Sequence, residues 1–277
     1  MRVVWQLLTV LVISAAGQQG IAAVQGDPWL TLAIGLATAV VALLAYRWVV
    51  GLTERRPVTE LAGGSAGSGL TRGVLLGAAL FGAVIANLWF LEYYQVHGLG
   101  SVPGAVGLLG FTAAAVVSEE LLFRGVLFRF VERWTGTWIS LLVTAAVFGA
   151  MHLLNPNATA WGAVAVGIAG GGLLTAAYIA ARNLWLPIGV HLGWNLAAGA
   201  VFSTEVSGND TPLGLLDASM SGPAILTGGD FGPEGSPYAL LFCLLATAAF
   251  LWLARRRANL VPRRRSERDT VATTLRR

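Results

Sequence analysis

Eight stretches of the sequence consist almost entirely of apolar residues. About 20 residues of helix, each rising ~1.5 Å, cross a hydrocarbon core ~30 Å thick. A signal peptide is the competing interpretation of the first stretch, but Gln18 and Gln19 interrupt it and no polar domain follows. We therefore predict an all-α fold, a polytopic transmembrane helix bundle of about eight spans. The spans are expected near residues 3–24, 29–50, 72–91, 103–123, 137–154, 160–181, 184–203 and 238–254.

Composition agrees with this pattern. The 277 residues are 56% hydrophobic and 12% charged, whereas soluble domains carry roughly 25% charged residues. Too little charge is present to cover a water-facing surface, so we predict an integral membrane protein. Residues 1–254 would form the bundle, and residues 255–277 a disordered basic tail. Two connections interrupt the apolar pattern, a Gly/Ser-rich flexible linker at 52–70 and a long loop at 204–237 that is disordered or a loose cap.

The charges predict the orientation in the membrane. With the N-terminus inside, arginines fall in the inner loops and acidic residues in the outer segments, which satisfies the positive-inside rule. Both termini are then cytoplasmic. The inner arginines are Arg47, Arg55, Arg56, Arg72, Arg124, Arg129, Arg133, Arg182 and those of the tail. The outer acids are Asp27, Glu92, Glu205, Asp210, Asp217, Asp230 and Glu234.

The basic tail suggests contact with anionic lipid rather than nucleic acid, because no aromatic residues are interleaved with its arginines. Every basic residue is Arg and none is Lys. Together with abundant Ala, Gly and Val, this favours a bacterial origin and hence the plasma (inner) membrane. The single Cys243 excludes an intrachain disulfide and a cysteine metal cluster.

Ionisable residues at membrane depth are few and cluster within the predicted motif core, 103–203. Ionisable groups at this depth are costly and are usually functional. Helical spacing places Glu120 beside Arg124, and His191 beside Asn195, on one helix face each. The segments are Ser118-Glu119-Glu120-Leu121-Leu122-Phe123-Arg124, Phe148-Gly149-Ala150-Met151-His152 and His191-Leu192-Gly193-Trp194-Asn195.

The depths of these groups can be compared by counting from a turn expected near Gly136. Glu119 lies 17 residues before Gly136 and His152 lies 16 after it. In an antiparallel helix pair, equal counts mean equal depth, so we expect Glu119 to face His152. His191 lies only nine residues past Arg182. The depths agree only if part of 124–134 projects from the membrane, which places the site in the inner half of the bilayer.

A carboxylate, two imidazoles and an amide suit hydrolysis of an amide bond. Glu119 could act as a general base on water, and a histidine could hold that water, donate a proton or bind a metal. Asn195 could donate to an oxyanion. Structural explanations compete for each group alone. The glutamate pair could lie on a surface beside Arg124, and His191 with Asn195 could join two helices. A small-residue face, Gly167, Gly170, Gly171 and Gly172, indicates close helix packing.

The three segments resemble the three motifs of the CAAX prenyl protease and bacteriocin-processing (CPBP, Abi) family of intramembrane proteases. That family's patterns are Glu-Glu-x-x-x-Arg, Phe-x-x-x-His and His-x-x-x-Asn, in this order on successive helices. All three are complete here, as Glu119-Glu120…Arg124, Phe148…His152 and His191…Asn195. They cover residues 119 to 195.

The resemblance implies a role for each matching residue. Glu119 would activate water with His152 as its partner, and His191 and Asn195 would form the oxyanion site. Glu120 would support these catalytic residues together with Arg124, and Phe148 belongs to the second motif. The family has been discussed both as metalloproteases and as metal-independent glutamate proteases. Zinc or another divalent metal on Glu119, His152 and His191 therefore stays open, although the spacing is not His-Glu-x-x-His.

The sequence thus predicts an endopeptidase of the CAAX protease/Abi type that cuts near the cytoplasmic face of the membrane. Its substrate would be a peptide or a membrane protein, which could carry a lipid. The alternative is a non-catalytic protein of bacteriocin self-immunity or a membrane scaffold, in which the same polar groups hold helices together.

Overall fold

The structure is a computed structural model that describes residues 1–24, 26–211 and 213–263. Within these residues, eight long helices run back and forth through the molecule. They are α1 (Arg2–Val24), α2 (Pro28–Glu54), α3 (Ala66–Phe90), α4 (Val102–Thr135), α5 (Thr137–Leu154), α6 (Ala160–Ala181), α7 (residues 185–201) and α8 (Pro237–Arg256).

The helical bundle confirms the predicted fold class. Seven helical segments of the described residues are long and apolar enough to cross a membrane. The remaining predicted span, 184–203, forms α7, which is shorter and mostly buried among other helices. The turn expected near Gly136 is present, since α4 ends there with a glycine at φ 81°. The molecule is thus a polytopic bundle built around an internal helix.

Helix starts follow the capping rules. Asp27 caps α2 by accepting from the amides of Trp29 and Leu30, and a proline follows it directly. Ser101 and Ser236 cap α4 and α8 in the same way, each close to a proline in the first turn. Such side chains satisfy backbone amides that lack a partner inside the helix.

Glycines bring α7 against α3. A Cβ atom on Gly77 would lie 2.0 Å from the carbonyl oxygen of Val190, and one on Gly193 would lie 2.1 Å from that of Val74. The two backbones therefore touch where side chains would otherwise separate them. This contact fixes the helix that carries His191 and Asn195.

The loop 204–237, predicted to be disordered or a loose cap, forms a structured cap instead. Its strand β2 (Leu216–Met220) pairs antiparallel with β1 (Tyr94–Leu99), which follows α3. A helical turn, Ala224–Thr227, comes next. Glu234 is buried. The Gly- and Pro-rich composition suggested a loose loop. An ordered segment with tight turns is equally rich in these two residues, so composition does not distinguish the two.

The segment 52–70, predicted as a flexible linker, is held to the bundle. Arg56 bridges Glu54 and Glu60 at 2.6 and 2.7 Å, and Thr59–Leu61 and Gly63–Ser65 form 3-10 turns before α3. Gly/Ser composition allows flexibility but does not impose it when neighbouring charges find partners.

The bundle also extends beyond its predicted boundary at 254. The side chain of Asn259 donates to the carbonyl of Ile179 at 3.0 Å, and the amide of Val261 donates to Thr137 Oγ1 at 2.8 Å. The remainder of the predicted tail, 264–277, lies outside the described residues.

Candidate active site

Glu120 and Arg124 form an ion pair inside the bundle. They lie one turn apart in α4, where the helix passes into a π-helical segment, Leu121–Phe128. Arg124 Nη1 donates to Glu120 Oε1 at 2.8 Å, and both side chains are completely buried. A buried ion pair is stable only if its other polar atoms also find partners. The surface position considered for the two glutamates is excluded for Glu120, since its side chain is completely buried.

The other donors of Arg124 are satisfied by α6. Nη2 donates to the carbonyl oxygens of Gly170 and Gly171, and Nε donates to Thr175 Oγ1, each at 3.2 Å. The guanidinium carbon also lies 4.8 Å from the ring centroid of Phe148, a cation–π contact. Arg124 thereby joins α4, α5 and α6. Gly170 and Gly171 belong to a second π segment, Gly167–Gly172, so the small-residue face also supplies carbonyl acceptors.

Glu120 also orients His191. Its Oε1 lies 3.0 Å from His191 Nδ1. A carboxylate only accepts, so Nδ1 carries the hydrogen and Nε2 of the neutral ring carries a lone pair. The imidazole is therefore held in one tautomer by a residue that does not itself reach the cavity described below.

Glu119 has a different environment from its neighbour. Its side chain is 35% exposed while that of Glu120 is 0% exposed. Glu119 Oε2 lies 3.9 Å from His191 Nε2 and makes no hydrogen bond. Adjacent helical residues point in directions about 100° apart. One glutamate therefore supports the site and the other faces its open space.

Glu119 and His152, which were expected to face each other, line the same cavity without a direct contact, and Glu119 Oε2 lies 3.9 Å from His191 Nε2 instead. In the part of the chain that is described, no hydrogen bond or ion pair joins Glu119 to His152. His152 begins the 3-10 turn at the end of α5, where its Nδ1 lies 2.7 Å from the carbonyl of Phe148. Counting from Gly136 assumed regular α-helix on both sides. The π segment of α4 changes the turn and rise between Glu119 and the loop, so equal counts do not make the two side chains meet.

All the predicted catalytic groups except Glu120 line one cavity of about 740 Å³. Its size is in the range of small-molecule and peptide sites. Its wall is mainly apolar, with contributions from Phe111, Phe148 and Leu173. The polar groups that reach it from the motifs are Glu119, His152, His191 and Asn195. The cavity brings together a carboxylate, two imidazoles and an amide from three helices, as the sequence pattern required.

A metal ion does not find a ligand set here. In the described residues, no three His, Cys, Asp or Glu side chains are grouped to hold one. Nδ1 of His152 is hydrogen-bonded to a backbone carbonyl, and Nδ1 of His191 is hydrogen-bonded to Glu120. Each ring therefore keeps Nε2 free. A free ring nitrogen of this kind can bind a metal, since ligating histidines usually hold their other nitrogen on a carboxylate or carbonyl. In the described residues, however, Glu119, His152 and His191 are not grouped closely enough to share one ion.

Sequence reasoning missed Glu234, which also lines the cavity. It accepts from Trp194 Nε1 at 2.8 Å and from the hydroxyl of Ser207. Trp194 lies between His191 and Asn195 in α7. Glu234 was assigned only to an outer loop, because nothing in its local sequence indicates that the loop folds back onto α7.

Fold and site together define a polytopic membrane protein with a polar cavity inside its helix bundle. Residues 100–197 match the family model described as type II CAAX prenyl endopeptidase Rce1-like. The match contains all three motifs, and it supports membership of the CAAX prenyl protease (CPBP) family. No curated protein and no solved structure gives a significant match to the chain.

Proposed function

We propose that the protein is an intramembrane endopeptidase in which Glu119 activates a water molecule. The observation that carries this proposal is the placement of Glu119 on the cavity wall, with its side chain 35% exposed and its Oε2 3.9 Å from His191 Nε2. A general base must face the space that water and substrate can enter. Glu119 meets this condition and the fully buried Glu120 does not.

The reaction begins with a proton transfer from water to Glu119. The resulting hydroxide attacks the carbonyl carbon of the scissile peptide bond. When the C–N bond breaks, the leaving amine takes that proton from Glu119, directly or through His152. Nδ1 of His152 is held by a backbone carbonyl, so Nε2 is the nitrogen free to relay it.

The oxyanion formed by the attack needs hydrogen-bond donors. The amide of Asn195 donates in any protonation state. His191 donates from Nε2 as an imidazolium, because its Nδ1 is already committed to Glu120. Preorganised donors of this kind typically contribute a factor of about 10²–10³ to the rate. Glu120 and Arg124 act by positioning, since they hold His191 and the three surrounding helices.

The apolar helices and the Arg-only basic residues of the sequence support a proposal for the cellular setting. We assign the protein to the bacterial plasma membrane as a multi-pass protein, with a peptide or membrane protein, lipidated or not, as substrate. The arginines Arg255, Arg256 and Arg257 would contact anionic lipid headgroups at the end of α8.

The decisive experiment compares Glu119→Gln with the unmodified protein. An internally quenched peptide that bears a farnesylated cysteine is mixed with each purified protein in detergent, with and without a chelator. Loss of a general base should reduce cleavage by at least about 10²-fold. Chelator should leave the unmodified protein active, because the site lacks a set of three metal ligands.

Asp217→Asn is the matched control, since Asp217 is an exposed acid on β2. It should retain full cleavage, and both variants should keep the unmodified melting temperature. Undiminished cleavage by Glu119→Gln would rule out the proposed base. If neither the unmodified protein nor the variants cleave the peptide, and Glu119→Gln unfolds at a lower temperature, the non-catalytic alternative is favoured.

A further inference from the structure

The mouth of the cavity lies at one end of the bundle. The exposed residues that line it come from helix ends and loops. These lie on the same side of the bundle because successive helices run in opposite directions. They include the last turns of α1 and α5, the start of α4, and the structured cap. These rim residues are Ala22, Pro103, Met151, Asn209 and Asp210.

The opposite end of the bundle is closed. Leu122, Phe123 and Val190 form the floor of the cavity. Among the described residues, none of 124–147 and none of 175–189 line it. The buried Glu120–Arg124 pair lies directly beyond the floor. A solute that enters from this end would have to break that pair.

Arginine residues are concentrated at the closed end of the bundle. The acidic residues located there, Glu54, Glu60 and Glu132, are each ion-paired with an arginine. Hydrogen bonding to Glu60 raises the pKa of Arg56, which secures its charge. The connections at the open end carry acids and, within the described residues, no arginine. By the positive-inside rule, the closed end faces the cytoplasm.

We infer that the cavity receives its substrate from the non-cytoplasmic side of the membrane. This inference rests on the proposed function, because the cavity receives a substrate only if the protein is a protease. It adds the class of that substrate. The substrate is a peptide segment presented at the outer surface, as in an exported or membrane-anchored protein, and not the cytosolic tail that a cut near the cytoplasmic face would require. Glu119 can lie deep in the bilayer and still be reached only from outside.

Cysteine labelling tests the route without any need for cleavage. In a Cys243→Ala background, single cysteines replace Ala115, one turn above Glu119 on the cavity wall, and Asn209 on the rim. Arg72→Cys reports the closed end, and Leu142→Cys reports the lipid-facing surface of α5. A membrane-impermeant anionic maleimide is added to intact cells or spheroplasts, and then to inverted membrane vesicles.

We expect the cysteines at 115 and 209 to react in intact cells and to lose that reaction in inverted vesicles. Arg72→Cys should show the reverse, and Leu142→Cys should react in neither. Labelling at 115 only from the side of position 72, or from neither side, would overturn the inference. Because the readout is labelling, the two proposals can fail separately. Outer-side labelling at 115 together with undiminished cleavage by Glu119→Gln would refute only the proposed function. Cytoplasmic-side labelling at 115 in a protein whose cleavage depends on Glu119 would refute only this inference.

Discussion

At the residue scale, the main feature is an ion pair removed from water, in which every side-chain nitrogen of Arg124 has a partner while Glu120 Oε2 has none. Arg124 uses all three of its nitrogens on Glu120, on two glycine carbonyls and on Thr175. Glu120 in turn holds His191. The same carboxylate oxygen thus links the structural centre of the bundle to a residue on the cavity wall. Disturbance of the pair should affect stability before it affects any chemistry.

Arg124→Met should therefore be strongly destabilising. The substitution leaves Glu120 as a buried charge without a partner, which costs about 3–5 kcal/mol in comparable cases. Denaturant titration of the purified protein in detergent measures the change in the free energy of unfolding. Arg72→Met, at an exposed position, is the control and should change it little.

A double variant separates charge from packing. Glu120→Gln combined with Arg124→Met removes both charges, so a substantial part of the lost stability should return. If the double variant is no more stable than Arg124→Met alone, the cost comes from lost packing against Phe148 and not from the unpaired carboxylate.

At the element scale, π segments and glycines decide how the helices meet. Gly149 in α5 and Gly167 in α6 lie in direct backbone contact, since a Cβ on Gly149 would lie 3.0 Å from the Cα of Gly167. The π segment of α6 presents the carbonyls that receive Arg124. π segments often occur at functional sites because they free backbone groups from the helical pattern.

Two neighbouring glycines of that segment give a matched test. A Cβ on Gly171 would lie 2.8 Å from the Cα of Ala145, whereas a Cβ on Gly172 would meet nothing within 4 Å. Gly171→Ala should lower the free energy of unfolding by about 1–3 kcal/mol through overpacking. Gly172→Ala should be close to neutral in the same denaturant titration. Equal effects at both positions would contradict the close contact of α5 and α6.

At the scale of the whole molecule, the structured cap completes the cavity. Glu234 ties the cap to α7 through Trp194, and it binds Ser207 within the cap. The antiparallel pair of β1 and β2 fastens the cap to the segment that follows α3. The cap is therefore part of the fold and bears on access to the site.

Glu234→Ala should loosen this cap. It leaves the buried Trp194 N–H and Ser207 hydroxyl without their acceptor, at a cost of about 1–3 kcal/mol for an unsatisfied buried group. Limited proteolysis should then cut within 204–236 faster than in the unmodified protein. Asp230→Ala, at an exposed position of the same loop, should leave the cleavage rate unchanged. Equal protection of both variants would mean that the strands alone hold the cap.

Local patterns in the sequence were sufficient for seven of the eight predicted spans, for the turn at Gly136 and for the pairing of Glu120 with Arg124. These features depend on hydropathy over about 20 residues and on neighbours one helical turn apart, both of which are read along the chain. The three motifs also indicated the family whose model matches residues 100–197. The local order of 52–70 and of the cap was not predictable in this way, because it depends on partners far away in sequence.

Only the tertiary structure decided which motif residues meet. Glu119 lies beside His191 rather than His152, since π segments alter the helical register and glycine contacts set how closely the helices approach. The end at which the cavity opens was likewise invisible in the sequence. It depends on where helix ends from distant parts of the chain assemble, and no local pattern of hydrophobic and polar residues specifies that assembly.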